Sequence, residues 1–190
     1  GYGQRSKEIY FGTDHEPVIC TKYHCAGREF YYDEQGNKTR TCILGTDGRL
    51  MVREDLGYAQ IYSEYDSYGN EVKTFYQDVD GKPAVWTEGG YSYCENDYEG
   101  MSKTASRYYD MYHNLAVRKD KGYAEIKFQN DERGQCLCER YYGVNGEPVI
   151  HKEVLCAGMT FERDESGNVI ENKYIGTDVP VMTRNDQGYA

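Results

Sequence analysis

The sequence predicts an all-β chain made of tandem hairpins, and two observations support this fold class. The turn glycines Gly36, Gly69, Gly134 and Gly167 are separated by 33, 65 and 33 residues, and self-similarity at a fixed period indicates a repeat architecture. The 190 residues also include 21 Tyr and 21 Gly, which is typical of strands joined by tight turns. We therefore expect tandem 33-residue β-hairpin repeats in an elongated solenoid-like or single-layer array, with a propeller-like ring as the alternative.

The repeat register also predicts how the chain is divided. The aromatic residues Tyr76, Tyr109 and Tyr141, which follow successive turns, are 33 and 32 residues apart, so one residue is lost between Tyr109 and Tyr141. We predict a single repeat domain, 1–190, with a partial repeat at 1–23, complete repeats at 24–56, 57–89, 90–121, 122–154 and 155–187, and the start of another at 188–190. The partial ends are expected to belong to a longer array or to complete each other in a ring.

The elements follow in order from the repeat 24–56. Apolar and polar residues alternate over 26–32, which is the period of a strand. Segment 33–37 has the sequence Asp-Glu-Gln-Gly-Asn. It predicts a hairpin turn, because Asp accepts from backbone N–H groups two residues on and Gly supplies a positive φ. Residues 38–44 then form the return strand, and 45–48 form a second turn.

The later repeats keep this plan with one exception. The next repeat has clear turn signals at 66–70 and 80–83. In the repeat 90–121, Glu-Gly-Met-Ser at 99–102 replaces the first turn and His-Asn at 113–114 replaces the Asp-Gly of the second. Because no stretch shows the helical period, we predict about two main strands per repeat and no helix.

The charge balance excludes two classes of partner. The chain has 32 acidic and 22 basic residues and a net charge of −10. Binding to phosphate backbones or anionic lipid surfaces needs a cationic face, so we expect no nucleic-acid partner. No apolar run approaches the length of a membrane span, so we expect no membrane insertion.

The cysteines are expected to be unpaired and mostly structural. Their number, seven, is odd and their spacing is irregular, which argues against a disulfide framework. Cys25, Cys94 and Cys156 fall in repeat positions otherwise filled by Tyr, Ile or Met, so we expect them in the core. Cys136 and Cys138 share one strand face, and metal or redox use of this pair remains the alternative, although nothing nearby completes a metal site. Unpaired thiols also fit an anaerobic or cytoplasmic setting.

Two motifs resemble known repeat families. The segments 32–37, Tyr-Asp-Glu-Gln-Gly-Asn, and 65–70, Tyr-Asp-Ser-Tyr-Gly-Asn, resemble tyrosine-aspartate (YD, Rhs-type) repeats. The whole repeat is similar to longer YD-like arrays of bacterial surface proteins. The Tyr-Tyr-Gly-x-Asn-Gly sequence at 141–146 is more distantly similar to cell-wall-binding hairpin repeats. Both resemblances imply binding or scaffolding at the cell surface, and therefore an extracellular location.

The strand alternation predicts which side chains face inwards. Ala59, Ile61 and Tyr65 occupy positions that are mostly apolar in the other repeats, so we expect them to face the core. The intervening positions, such as Gln60 and Glu64, are mostly polar and are expected to face water.

Four aromatic residues break the polar pattern of the outer face and form the candidate binding site. Tyr31, Tyr62 and Tyr93 step by 31 residues against a period of 33, which predicts a diagonal across three repeats, and Trp86 is the fourth exception. Exposed rings in a row suit a glycan or a protein partner. Cross-strand packing of half-exposed tyrosines is the alternative. Core rings such as Tyr76, in contrast, are expected to be buried.

No catalytic, metal or cofactor site is predicted. The turn acids Asp47, Asp78 and Asp80 are expected to cap turns, because Ca²⁺ needs about six to eight oxygen ligands. The histidines share no motif, and no sequence signature of a nucleophile or phosphate site is present. We therefore predict a non-catalytic module that binds a glycan, a cell-wall polymer or a protein. The alternatives are a purely structural spacer within a larger protein and a carboxylate-based glycosidase.

Overall fold

The computed structural model describes residues 4–178 and divides the chain into two compact units, Gly1–Glu88 and Gly89–Ala190. We call them the N-terminal and the C-terminal unit. The predicted repeat start at 188–190 lies outside the described residues, as do the last residues of the repeat 155–187 and residues 1–3 of the partial one. All regular structure in the described part is β-strand, so the predicted all-β class is confirmed. No helix there could span a membrane.

The N-terminal unit is an antiparallel sheet in which neighbours along the chain are neighbours in the sheet. Its strands are β1 (Lys7–Ile9), β2 (Gly27–Tyr32), β3 (Lys38–Leu44), β4 (Gln60–Tyr65) and β5 (Glu71–Gln77). These segments are rich in Thr, Ile, Tyr and Phe, whose branched or aromatic side chains favour the pleated conformation.

The C-terminal unit has the same sequential antiparallel order. Its strands are β6 (Tyr93–Glu99), β7 (Ser102–Tyr109), β8 (Glu125–Asn130), β9 (Cys136–Tyr142), β10 (Gly158–Arg163) and β11 (Val169–Ile175). Each unit therefore presents long rows of cross-strand side-chain pairs, which are the elements that stabilise a sheet.

The turns form as their sequences predict. Between β4 and β5, Asp66 Oδ1 accepts the N–H groups of Tyr68 and Asn70, and Gly69 has a φ of 82°. The side-chain amide of Asn70 donates to Asp66 Oδ2, and these hydrogen bonds hold the pKa of Asp66 below its usual value. The aspartate and the glycine thus fix the point at which β4 reverses direction.

The acids of the second turns also bond to the backbone. Asp47 Oδ1 accepts the N–H of Arg49, and Asp78 Oδ1 accepts the N–H groups of Asp80 and Lys82. Turn capping is therefore confirmed for Asp47 and Asp78. Asp80 has a different role, because its carboxylate forms an ion pair with Lys82 at 3.6 Å.

The core is a cluster of buried tyrosines backed by small residues. In the N-terminal unit the rings of Tyr58 and Tyr76 stack with centroids 4.7 Å apart, and burial raises the pKa of Tyr58 to about 12. In the C-terminal unit Tyr123 stacks on Tyr141 at 5.1 Å. Ala59 is fully buried, as expected. Close packing against such small residues lets the tyrosine rings fill the space between the sheet and its connecting loops.

In the repeat 90–121, our alignment of the internal repeats is wrong by one residue. Ile61 lies opposite Tyr76 in β4–β5, but Cys94 lies opposite Tyr108, not Tyr109, in β6–β7. The cause is the turn between β6 and β7, where Glu99 is already paired with Ser102. That turn is shorter than the others, so the lost residue belongs there and not after Tyr109.

All seven cysteines have free thiols. Cys25, Cys94 and Cys156 are buried, as their repeat positions predict, and Cys42 is buried as well. Cys20, Cys136 and Cys138 are half-buried.

Candidate functional site

Four side chains of the N-terminal unit lie directly opposite one another across four consecutive strands. Tyr31 of β2 faces Arg40 of β3, Arg40 faces Tyr62 of β4, and Tyr62 faces Phe75 of β5. Directly opposite residues of antiparallel strands point to the same face, so the four form one line. We call this line the aromatic row. At a strand spacing of about 4.8 Å it extends for roughly 14 Å.

The row is held together by ring and cation contacts. The guanidinium carbon of Arg40 is 5.2 Å from the ring centre of Tyr31 and 5.0 Å from that of Tyr62. The rings of Tyr62 and Phe75 stack with centroids 5.1 Å apart and an interplanar angle of 7°. Arg40 therefore lies between two tyrosine faces, where the ring quadrupoles attract its charge.

Polar neighbours fix the orientation of the row. Arg40 Nε donates to Gln60 Oε1 at 3.0 Å, and the Gln60 side-chain amide donates to the backbone carbonyl of Asp78 at 3.0 Å. The Tyr31 hydroxyl donates to Glu29, and this hydrogen bond, with partial burial, raises the pKa of the Tyr31 phenol. A glutamine and a glutamate thus position the cation and the outermost ring.

The environment of Gln60 corrects the sequence prediction. We expected Gln60 to face water, but its residue surface is only 2% exposed. The reason is that its amide connects the Arg40 side chain to the Asp78 carbonyl, so that its polar atoms bond to the protein and not to water. A buried polar side chain is tolerated when both its donor and its acceptor are bonded.

The row is accessible from one side. Tyr31 is 42% exposed, and Arg40, Tyr62 and Phe75 are half-buried. Two predicted site residues, Tyr31 and Tyr62, are thus brought into one row, and they are connected through Arg40.

The third predicted residue, Tyr93, has a different environment, in the C-terminal unit. It is 6% exposed, which overturns the expectation of an exposed ring. Its ring stacks on Tyr109 with centroids 4.7 Å apart, and its hydroxyl is hydrogen-bonded to Nδ1 of His113. The physical reason is that the turn carrying His113 folds over the ring, at a centroid distance of 4.8 Å.

The fourth predicted residue, Trp86, is half-buried and does not join the row. Its ring lies against Tyr76, with centroids 6.2 Å apart. Tyr76 follows Phe75 in β5, and successive residues of a strand point to opposite faces. Trp86 therefore packs on the core side of the sheet, opposite the aromatic row.

Sequence reasoning missed Arg40 and Phe75. Phe75 precedes the core residue Tyr76, and this position alone predicts that it faces outwards. Arg40 gave no such signal, because its place between two rings depends on the pairing registers of β3 with both β2 and β4.

Chemically, the row offers stacking surfaces and a cation with several N–H donors. Among residues 4–178, no group of three or more His, Cys, Asp or Glu could hold a metal ion. Searches with protein-family models and against curated proteins found no match to this chain.

Proposed function

We propose that this chain is a non-catalytic repeat module of a bacterial cell-surface protein and that its aromatic row binds a glycan chain, such as a cell-wall polymer. The observation that carries the proposal is the in-register line of Tyr31, Arg40, Tyr62 and Phe75. A partly exposed row that crosses four strands suits an extended ligand better than a small molecule, since small ligands favour enclosed pockets.

The chemistry of the row supports a sugar ligand. Arg40 and Phe75 cover the ring of Tyr62, so the apolar C–H face of a pyranose ring packs on the exposed part of Tyr31, while the Tyr62 hydroxyl and the Arg40 guanidinium meet the oxygen atoms of the sugar. Because Arg40 is already ordered between two rings, binding requires little further loss of side-chain freedom. The row is therefore preorganised for a ligand that combines apolar faces with hydroxyl groups.

Strand spacing supports the tandem-repeat part of the proposal. The first strands of the five hairpins begin at Gly27, Gln60, Tyr93, Glu125 and Gly158, at intervals of 33, 33, 32 and 33 residues. We propose that these hairpins are consecutive repeats of a YD-like array within a longer protein. Small-angle scattering of the full chain distinguishes an elongated array, with a large radius of gyration for its length, from a compact ring.

The binding proposal is tested by affinity electrophoresis through gels that contain soluble polysaccharides and by co-sedimentation with purified bacterial cell walls. We expect the wild-type chain to be retarded or sedimented by at least one polymer. Tyr62→Ala is expected to weaken that binding about tenfold or more, which corresponds to about 1.4 kcal/mol. Tyr31→Ala should weaken it in the same direction.

The matched control is Tyr68→Ala. Tyr68 is 68% exposed in the turn between β4 and β5 but is not part of the row. The control should bind like wild type. Equal binding by wild type and Tyr62→Ala would exclude the row as the site. If no polymer is bound, the result favours the spacer function.

A further inference from the structure

Two cysteines of the N-terminal unit are directly opposite each other in the loop between β1 and β2. Cys20 and Cys25 pair in a short antiparallel bridge, in which the Cys20 N–H donates to the Cys25 carbonyl at 2.9 Å. The intervening residues 21–24 close the loop, and the His24 N–H donates to the Cys20 carbonyl at 2.7 Å. The backbone thus holds the two Cα atoms in a fixed cross-strand relation.

This relation is suited to a disulfide bond. Directly opposite residues in an antiparallel pair have Cα atoms about 4.5–5.5 Å apart, and disulfides join Cα atoms about 4.4–6.8 Å apart. Both side chains of such a pair also point to the same side. The Cα separation typical of such a pair therefore lies within the range that a disulfide spans.

A similar loop of the C-terminal unit shows that side chains at these two positions meet. There the Arg118 N–H donates to the Tyr123 carbonyl at 2.8 Å, as Cys20 does to Cys25. The Arg118 guanidinium carbon lies 5.9 Å from the ring centre of Tyr123. Side chains at these two positions of the loop therefore lie on the same side of it.

We propose that Cys20 and Cys25 form a reversible disulfide by exchange with a low-molecular-weight disulfide such as oxidised glutathione. The Cys20 thiolate attacks one sulfur of the glutathione disulfide, the S–S bond breaks, and one glutathione thiolate leaves. Cys25 then loses its proton and its thiolate attacks the Cys20 sulfur, so that the Cys20–glutathione S–S bond breaks and the second glutathione leaves as a thiolate. The two glutathione thiolates take up the two protons that the cysteines gave up. Two protein thiols are oxidised to one disulfide, and one glutathione disulfide is reduced to two thiols.

The two thiols differ in access, and this sets their roles. Cys20 is half-buried and can be reached from solvent, whereas Cys25 is 0% exposed. Burial raises the pKa of the Cys25 thiol, although the charges of Arg28 and Arg53 oppose the rise. Cys20 is therefore the entry point and Cys25 the resolving thiol, and the resolving step should become faster as pH increases.

The Cys136–Cys138 pair provides an internal comparison. These residues are two apart on the same strand, and each lies opposite a non-cysteine residue, Asn130 and Gln129 respectively. They lack the cross-strand relation of Cys20 and Cys25. We therefore expect them to remain thiols under the same treatment.

The experiment treats the native full chain with oxidised glutathione, removes the reagent, and then unfolds the protein without reductant. Thiol titration should find two thiols fewer than the seven of the untreated protein. Peptide mapping should find a Cys20–Cys25 crosslink and no bound glutathione. Retention of all seven thiols, a crosslink at other positions, or glutathione that persists on Cys20 would each overturn the proposal.

Three variants assign the roles. Cys20→Ser should lose no thiol on treatment, because the remaining Cys25 is buried. Cys25→Ala should retain one glutathione on Cys20, because the resolving thiol is missing. Cys138→Ser, the matched control, should form the crosslink like wild type. If Cys25→Ala does not fold, the peptide map of the wild-type protein and the thiol count of Cys20→Ser still test the proposed disulfide. Thiol loss in Cys20→Ser would contradict the pairing.

Discussion

Arg40 and Arg107 each lie on the second strand of a hairpin, at different registers, and have opposite surroundings. Arg40 lies in β3 between the rings of Tyr31 and Tyr62. Arg107 lies in β7, where it pairs with Asp97 and with Glu125, the latter at 3.0 Å. Hydrogen bonding to Asp97 and Glu125 raises the pKa of Arg107 even further above the physiological range. The two arginines thus belong to different kinds of surface, because Arg40 faces two tyrosines and Arg107 faces two glutamates.

The difference separates a binding surface from a structural one. The charge of Arg107 is neutralised by two carboxylates of its own sheet, so little remains for a ligand. Arg40 instead has ring partners, which attract the cation without neutralising it. The N-terminal unit therefore keeps the Arg40 cation and apolar rings together on its surface, and the C-terminal unit uses the charge of Arg107 within the sheet.

The largest effect is expected in the core that both units share. Tyr76→Ala and Tyr141→Ala should each lower the free energy of unfolding by about 3–5 kcal/mol, because both rings are buried, at 9% and 3% exposure. Urea denaturation measures this change. Tyr112→Ala, at 77% exposure, is the control and should stay within about 0.5 kcal/mol of wild type. A small cost for Tyr76→Ala alone would mean that the N-terminal unit is stabilised mainly by its outer face.

A second prediction distinguishes the two arginines by how the stability cost of replacing each one depends on salt concentration. Arg107→Met should cost about 1–2 kcal/mol: the exposed Asp97 pair contributes little, but the mostly buried Glu125 loses a partner. Arg40→Met should cost a similar amount through its two ring contacts, about 0.5–1 kcal/mol each. The cost of Arg107→Met should decrease between about 0.1 M and 1 M NaCl, as the Debye length falls from about 10 Å to 3 Å.

Denaturation of both variants and wild type at the two salt concentrations provides the measurement. We expect the cost of Arg40→Met to be nearly independent of salt, since short-range ring contacts are less screened than ion pairs. An equal decrease for both variants would show that the aromatic row is stabilised by ordinary ion pairing, and the contrast between the units would be lost.

The sequence predicts those features that depend on local chemistry. Asp66 and Gly69 identify their turn because the carboxylate and the positive φ act within five residues. The period of two places Tyr76 and Tyr141 in the core, where both are buried. These features need no knowledge of which strands pair.

The remaining features depend on register and on loops, which a single sequence leaves open. The alignment places Tyr109 in the repeat position that Tyr108 occupies, because the one-residue loss can be placed at several points of a degenerate repeat. Tyr93 was expected to be exposed because nothing in the sequence shows that His113 folds over its ring. Arg40 becomes part of the site only when two pairing registers are known together.

The third prediction concerns the buried hydroxyl of Ser92 in the core of the C-terminal unit. Ser92 is 2% exposed, and its Oγ has no hydrogen-bond partner among the described residues. Ser92→Ala should raise the free energy of unfolding by about 1 kcal/mol, because an unsatisfied buried hydroxyl is removed. The reverse change, Ala124→Ser at a site of 0% exposure, should lower it by about the same amount. Urea denaturation of the two variants measures both changes. A destabilised Ser92→Ala would contradict the prediction and indicate that the hydroxyl forms a stabilising hydrogen bond.

The smallest expected effect is a dependence of the free energy of unfolding on pH, which arises from His151 of the C-terminal unit. Its Nδ1 accepts the N–H groups of Glu153 and Val154, and burial, with the charge of Lys121, lowers the pKa of the imidazole. The unfolded chain therefore takes up a proton more readily, so this group leaves stability unchanged above its ordinary pKa of 6.5 and reduces it as pH falls below that value.

In His151→Asn, the side-chain oxygen can accept the same N–H groups without titrating. This variant should lose part of the decrease in stability that wild type shows between pH 7 and pH 5. Hydrogen exchange of the loop at 151–156 over this pH range locates the change, and His15→Gln, at an exposed histidine of the N-terminal unit, is the control. Identical pH profiles for wild type and His151→Asn would show that the buried imidazole does not contribute to the acid sensitivity of the C-terminal unit.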